Sequence, residues 1–171
     1  MDISREHPEN LSPLEPAGRL TALGNQLVDT HIRLREELAG IREDLAAARP
    51  RGSGTTRRLR THCPAFCSAL SRHHTDEDEG TFPALAARHP ELRPVLELLR
   101  QDHQAVSGIL RSVEELLQGA ADAAADGTDN APKVLRELDG LSALLDSHFA
   151  YEEKRIVTAL NALAAPDRHD G

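Results

Sequence analysis

Several features that other protein classes require are scarce in this sequence. Aromatic residues make up 2% of the 171 residues and tryptophan is absent, which disfavours a β-sandwich or β-barrel built on aromatic and β-branched side chains. Only two cysteines are present, Cys63 and Cys67. Two are too few for a disulfide framework, so a reducing, cytoplasmic compartment is expected. As small buried thiols one helical turn apart, they need no role beyond packing.

Long apolar runs and excess positive charge are missing as well. No stretch approaches the roughly 18 consecutive apolar residues typical of a membrane span, and no apolar segment flanked by positive charge opens the chain, so no secretory signal is expected. The chain has 20 lysines and arginines against 28 acidic residues, a net charge of −8. Nucleic-acid affinity depends on a clustered basic surface. We therefore expect neither a membrane nor a nucleic acid as a partner.

Residues that favour helices are abundant instead. Alanine, leucine, arginine and glutamate are frequent, and all four have high helix propensity. Apolar residues recur at spacings of three and four in four segments, residues 18–48, 55–80, 91–118 and 131–163. That spacing places them along one face of a helix. The sequence predicts an all-α protein, an up-down antiparallel four-helix bundle with its apolar faces inside.

Glycines and prolines indicate where the bundle begins, turns and ends. We expect a flexible N-terminal arm over residues 1–17, the bundle over residues 18–163 and a flexible tail over residues 164–171. A small polar linker is expected over residues 119–132.

Two prolines affect the second helix. Gly80 with Pro83 is predicted to begin a turn region that continues to residue 91. Pro64 is expected either to kink the second helix or to mark its start, because proline removes a backbone donor.

Four histidines occupy positions where the spacing requires an apolar core residue: His31, His73, His103 and His148. Two of them have a glutamate on the same helix face one turn later; the pairs are His73 with Glu77 and His148 with Glu152. Ionisable groups buried without partners cost several kcal/mol per charge. A bound cation removes that cost, and facing side chains of a four-helix bundle commonly hold metals. The sequence therefore predicts a metal site in the bundle core.

The two histidine–glutamate pairs belong to an internal repeat. At an offset of 75, residues 73–85 align with residues 148–160, matching the histidine, the glutamate and the closing Ala-Leu. His31 and His103 are related by an offset of 72. Two similar helical hairpins would each supply one lone histidine and one histidine–glutamate pair. This pattern suits a dinuclear centre of near two-fold symmetry, bridged by the two glutamates.

The motif HisHisThrAspGluAsp at residues 73–78, followed by PheProAlaLeu at residues 82–85, resembles the HHE motif of hemerythrin-like domains. The resemblance covers about residues 20–163. It implies a four-helix bundle holding a non-haem, oxo- or hydroxo-bridged di-iron centre with two irons per chain. It also implies that the protein binds or reacts with O₂, peroxide or nitric oxide in sensing, storage or scavenging. The ligands that it implies are His31, His73, Glu77, His103, His148 and a fourth-helix acid, for which the spacing favours Glu152 over Glu153.

One position departs from the family pattern. Hemerythrins have a second histidine four residues after the third-helix ligand, where this sequence has Ser107. One metal would then lack a terminal imidazole and either keep an exchangeable water position or recruit another group. An open position favours redox chemistry. A di-iron oxidase or oxygenase acting on an organic substrate is therefore the alternative function, and the sequence leaves open whether the protein is an enzyme.

Three further residues are reserve ligands. Glu153 is at the position of the acid used by O₂ carriers of the family, while His74 and Asp78 form a second pair, one position round from His73 and Glu77 and toward the edge of the stripe. Imidazole and carboxylate do not select iron alone, so manganese and zinc are less favoured alternatives. A structural module whose inward groups only hydrogen-bond one another is the remaining hypothesis.

Overall fold

The computed structural model describes residues 16–47, 53–123 and 130–163, and every regular element in these ranges is helical. Two π-helical turns and one 3-10 turn connect α-helices without an intervening strand in the described ranges. The elements in chain order are α1 (Pro16–Ala47), α2 (Ser53–Asp76), a π-helical turn (Glu77–Thr81), α3 (Phe82–Arg88), a 3-10 turn (Pro90–Leu92), α4 (Arg93–Ala123), α5 (Ala131–Glu152), a second π-helical turn (Glu153–Val157) and α6 (Thr158–Leu163).

These elements form four bundle helices. The first is α1, the second runs from α2 to α3, the third is α4, and the fourth runs from α5 to α6. Contacts join the first to the second, the second to the third, the third to the fourth, and the fourth back to the first. The predicted all-α four-helix bundle is confirmed.

Two apolar clusters fill the bundle, and both come from the predicted stripes. The larger cluster takes its buried residues from the segments 34–45, 63–70, 106–113 and 134–149. The smaller takes its buried residues from the segments 82–85, 96–99 and 156–160, with Leu27 of α1 packed against them. Burial of these stripes supplies the main driving force for folding, at about 25 cal/mol per Å² of apolar surface.

The second bundle helix continues through the turn predicted at Gly80 and Pro83, so that prediction is wrong. Gly80 lies in the π-helical turn and Pro83 is the second residue of α3. The break comes at His89, whose φ of −128° and ψ of 73° are not helical. His89 precedes Pro90, and a residue before proline is disfavoured in the α conformation.

The described residues cover only some of the other predicted boundaries of helices, linker and chain ends. Pro64 lies inside α2 and does not mark its start. The predicted linker over 119–132 is shorter than expected, because α4 extends to Ala123 and α5 begins at Ala131. Residues 1–15 and 164–171, where the arm and the tail are predicted, lie outside the described residues.

None of the helices in the described ranges is both long enough and apolar enough to span a bilayer.

Candidate metal centre

A layer of polar side chains separates the two apolar clusters. On each bundle helix these polar residues fall at or next to the boundary between the segment that supplies the larger cluster and the segment that supplies the smaller one. The side chain of His73 is 12% exposed. The other six members are buried, namely His31, His74, Glu77, His103, His148 and Glu152. Seven ionisable side chains therefore meet in a part of the core that excludes bulk water.

Both π-helical turns begin beside this layer. One starts at Glu77 and the other at Glu153, directly after Glu152. The wider π turn is common at functional sites. In both helices the first of two consecutive acids is buried in the layer, and the second contacts a histidine of a neighbouring helix.

The first group of possible ligands comprises two histidines and two glutamates. Its ligand atoms, from His31, His73, Glu77 and Glu152, lie within 4.8 Å of one another. The Nε2 atoms of His31 and His73 are 3.0 Å apart. Glu152 Oε2 lies 3.3 Å from His31 Nε2, and Glu77 Oε1 lies 3.2 Å from His73 Nε2. Imidazole nitrogens and carboxylate oxygens that converge in this way form a typical transition-metal site.

The second group consists of three histidines. Ligand atoms of His74, His103 and His148 lie within 4.8 Å of one another. The Nε2 atoms of His103 and His148 are 3.2 Å apart. The ring of His74 stacks on that of His103, with centroids 3.9 Å apart and an interplanar angle of 9°. Ring nitrogens of three buried imidazoles therefore converge.

The two glutamates connect the groups. Glu77 Oε1 is 3.2 Å from His73 Nε2 of the first group, and its Oε2 is 3.5 Å from His103 Nε2 of the second. Glu152 Oε2 is 3.3 Å from His31 Nε2 and 3.6 Å from His148 Nε2. Each glutamate thus lies between a histidine of one group and a histidine of the other, which is the arrangement needed to bridge two metal ions.

The layer contains polar atoms that the protein itself leaves unsatisfied. Within the described part of the chain, the buried side-chain atoms without a hydrogen-bond partner are His74 Nε2 and both carboxylate oxygens of Glu77 and of Glu152. A buried polar group left unpaired costs about 1–3 kcal/mol. All of these atoms belong to the two groups of possible ligands. The residues present therefore fit a bound cation, which would give each of these atoms a partner.

Burial favours the neutral form of three imidazoles of the layer, those of His73, His74 and His103. It lowers the pKa of His73 to about 4, with the nearby His31 adding to the effect. It also lowers the pKa of His74 and of His103 below the ordinary histidine value. A neutral imidazole offers a ring-nitrogen lone pair to a metal.

The surroundings shift the pKa values of the two glutamates in opposite directions. Burial raises the pKa of Glu77, and the neighbouring Glu152 raises it further. Burial also opposes ionisation of Glu152, but the imidazoles of His31 and His148 outweigh it and lower the pKa of this carboxyl. Glu152 is therefore the acid held as a carboxylate at neutral pH, and a cation nearby would favour the same form of Glu77.

Three of the histidines donate Nδ1–H to an outer carboxylate. The pairs are His31 with Glu153 at 2.9 Å, His103 with Asp78 at 2.9 Å, and His148 with Asp102 at 3.1 Å. An acceptor at Nδ1 fixes the tautomer and orients the ring, so that Nε2 and its lone pair face the layer.

Replacing Asp102 by asparagine is expected to weaken metal binding by about 10- to 100-fold, because His148 loses its charged acceptor. Competition with a chromophoric chelator measures the change. Glu97→Gln, an exposed substitution on the same helix, should leave the affinity unchanged. Equal affinities for Asp102→Asn and the unaltered protein would contradict the orienting role.

The structure brings the six residues predicted as ligands into one layer: His31, His73, Glu77, His103, His148 and Glu152. Of the reserve ligands, Glu153 and Asp78 lie outside the layer as acceptors for His31 and His103. Glu152 is fully buried whereas the side chain of Glu153 is 27% exposed, which agrees with the preference for Glu152. The role of these residues in binding metal remains a prediction.

His74 differs from its expected position at the edge of the stripe. It is 4% exposed and stacks on His103. Residues 73 and 74 lie on either side of the bundle axis, so that His73 faces His31 of α1 while His74 faces α4. The signal that could have found it is the histidine doublet itself.

The geometry favours the second outcome expected of Ser107, the recruitment of another group. Ser107 is exposed and does not face the layer. The third imidazole of its group comes from His74 on the second bundle helix instead.

Substituting histidine for Ser107 is therefore expected to leave the number of bound metals and their affinity unchanged, because the new imidazole would face solvent. Metal analysis after gel filtration checks this. A tighter or additional metal in Ser107→His would contradict the placement of the third imidazole on the second helix.

The two cysteines belong to the larger apolar cluster. Cys63 and Cys67 are buried free thiols and are members of neither group of possible ligands. The hydrogen bond with Cys63, together with burial, raises the pKa of Cys67. A protonated buried thiol is unreactive, so packing accounts for it.

The described geometry defines a class, a four-helix bundle whose core contains a layer of histidines and carboxylates that could hold a cation. A model of the hemerythrin HHE cation-binding domain matches residues 23–160, a range that includes all seven residues of the layer. The chain belongs to this family. Neither the comparison with curated proteins nor that with solved structures yields a match.

Proposed function

We propose that this cation-binding domain holds two iron ions per chain and uses them to bind or react with O₂, peroxide or nitric oxide, in sensing, storage or scavenging. The proposal rests on five imidazoles, divided into three and two, around two buried carboxylates whose oxygens accept no hydrogen bond within the described residues. Iron accepts both imidazole and carboxylate, although manganese and zinc could occupy the same ligands.

The ligands divide between two ions. His74, His103 and His148 would hold one ion, and His31 with His73 would hold the other. Glu77 and Glu152 would contact both ions, since each lies between the two groups. The second ion thus has one protein imidazole fewer than the first.

Bound iron and the protein's own side chains would contribute different parts of the chemistry. Bound iron supplies the redox change and the coordination position that side chains lack. The chain orients the imidazoles through Asp78, Asp102 and Glu153. Its apolar clusters on both sides of the layer exclude bulk water, which limits competing hydrolysis and proton exchange.

The spectrum of the iron-loaded protein tests the proposal. The iron-loaded protein is prepared without oxygen. Addition of O₂, peroxide or nitric oxide is then expected to change its near-ultraviolet and visible absorption. Zinc-loaded protein is the matched control and should show no such change, because zinc has no redox chemistry. An iron-loaded protein whose absorption spectrum changes with none of the three reagents would overturn the proposed function.

The alternative, a di-iron oxidase or oxygenase acting on an organic substrate, no longer rests on Ser107. Ser107 is exposed, His74 would supply the third imidazole of that group, and an open position would lie at the ion with two imidazoles instead.

A further inference from the structure

Three side chains outside the layer form a connected unit around His31. This histidine donates Nδ1–H to Glu153 Oε1 at 2.9 Å, and its ring stacks on that of Phe149 with centroids 3.9 Å apart. Arg35 contacts both of these partners. Its Nη1 donates to the same Glu153 oxygen at 3.2 Å, and its guanidinium carbon lies 5.1 Å from the Phe149 centroid.

His103 of the other ligand group has the same three kinds of partner. It donates Nδ1–H to Asp78 Oδ1 at 2.9 Å, and its ring lies against that of Phe82 with centroids 5.4 Å apart at an angle of 21°. Arg100 approaches the same Asp78 oxygen at 3.8 Å, and its guanidinium carbon lies 5.7 Å from the Phe82 centroid. The arrangement of acid, phenyl ring and arginine therefore occurs twice, on two different pairs of bundle helices.

The third outer acid differs from these two. Asp102 accepts Nδ1–H of His148 at 3.1 Å, but among the described residues no arginine forms an ion pair with it. An arginine therefore accompanies the acceptor of His31 and that of His103, the two layer histidines that have no glutamate one turn later in the sequence.

Of the two arginines, Arg35 is held more closely to its acid. Its contact with Glu153 is shorter than that of Arg100 with Asp78, and its Nε lies 3.5 Å from Asp146 Oδ1 as well. The side chains of Arg35 and Glu153 are 30% and 27% exposed, so water screens this pair only in part. The positive charge lies on the very oxygen that accepts the proton of His31.

We propose that Arg35 is a positioning residue that sets the reduction potential of the iron held by His31. A carboxylate that accepts Nδ1–H strengthens electron donation by the imidazole through Nε2. A guanidinium on the same oxygen draws negative charge toward itself and opposes that donation. Arg35 thereby favours the ferrous form of the iron. Arg100 acts in the same direction on the iron held by His103, more weakly because its contact is longer.

This inference rests on the iron centre of the proposed function and deepens it. The two halves of the layer have similar imidazole pairs, with Nε2–Nε2 distances of 3.0 Å and 3.2 Å. Their outer cations differ in distance to the acid, by 3.2 Å against 3.8 Å. The two irons are therefore expected to have different reduction potentials.

The substitution Arg35→Met tests the proposal in a redox titration of the iron-loaded protein, followed by absorption. Methionine keeps a long flexible side chain against Phe149 but carries no charge. At a fixed solution potential, the ratio of ferric to ferrous iron in that half is expected to rise roughly ten-fold. For a one-electron couple this is a fall of about 59 mV in the midpoint potential. Arg100→Met should raise the ratio in its own half by a smaller factor, about three-fold.

Two variants separate the effect of the charge from that of packing. Arg33→Met removes the same charge from an exposed position on the same helix, where water screens it, and should change the ratio by less than about two-fold. Arg35→Lys keeps the charge beside Glu153 and should stay within about three-fold of the unaltered protein. Should Arg35→Met fail to fold or lose its iron, Arg35→Gln, which keeps a donor for Glu153 without the charge, decides the question.

The outcomes distinguish the two proposals. Unaltered protein that binds no iron overturns the proposed function and this inference together. Unaltered protein with redox-active iron that responds to neither O₂, peroxide nor nitric oxide overturns only the proposed function. Equal midpoint potentials in the unaltered protein and in Arg35→Met, or a shift no larger than that of Arg33→Met, overturn only the inference.

Discussion

Replacing Glu77 by glutamine is expected to reduce the metal content from two ions to one or none per chain. Glu77 lies between His73 and His103, at 3.2 Å and 3.5 Å from their Nε2 atoms, so its carboxylate would contact both ions. An amide supplies no negative charge and presents an N–H₂ group to one of the two sites. Metal analysis of protein purified from iron-supplemented cells measures the loss.

A nearby glutamate of the same turn offers a matched control. Glu79 lies in the same π-helical turn but is exposed, so Glu79→Gln should keep the full metal content. Glu77→Gln protein that retains two ions with unchanged affinity would show that Glu77 does not bridge them, and the dinuclear account would fail.

Removing the metals is expected to lower the thermal stability strongly. Ligands that bind only the folded state add about 2.7 kcal/mol per site when their free concentration is 100 times Kd, so two sites give about 5 kcal/mol. For a chain of this size, roughly 2–4 °C per kcal/mol converts this to about 10–20 °C in Tm. Thermal unfolding with and without a chelator measures the difference.

A double substitution separates metal binding from the cost of the buried acids. Glu77→Leu/Glu152→Leu removes both buried carboxyl groups, whose oxygens accept no hydrogen bond within the described residues, and replacing buried ionisable groups by apolar ones is often stabilising by about 1–4 kcal/mol. Without metal this variant should melt above the unaltered protein, and adding metal should not change its Tm. Should the unaltered protein show the same Tm in chelator and in metal, the layer would be a self-satisfied polar network instead.

The sequence predicted the fold well because burial follows helical periodicity. The stripe positions Leu34, Leu38, Leu138 and Leu145 are all buried, as spacings of three and four require. A turn was wrongly expected at Gly80 because propensity alone does not register that an exposed glycine can sit within a helical turn. The tertiary packing of Phe82 and Leu85 in the smaller cluster keeps that segment helical.

The site was predicted less completely than the fold, for a geometric reason. A single stripe admits one residue per turn and therefore selected His73 but not His74. The polar layer is wide enough for two consecutive side chains to enter it from the second helix, one toward α1 and one toward α4. The π-helical turns add a shift that a period of 3.6 residues does not contain, and with it the contacts of Asp78 and Glu153 to the histidines.

Metal content per chain, measured on protein purified aerobically from iron-supplemented cells, tests the central claim most directly. The account predicts close to two irons per chain, because Glu77 and Glu152 each lie between the two groups of possible ligands. A folded helical protein that carries no metal, and takes up none when iron is added, would contradict it.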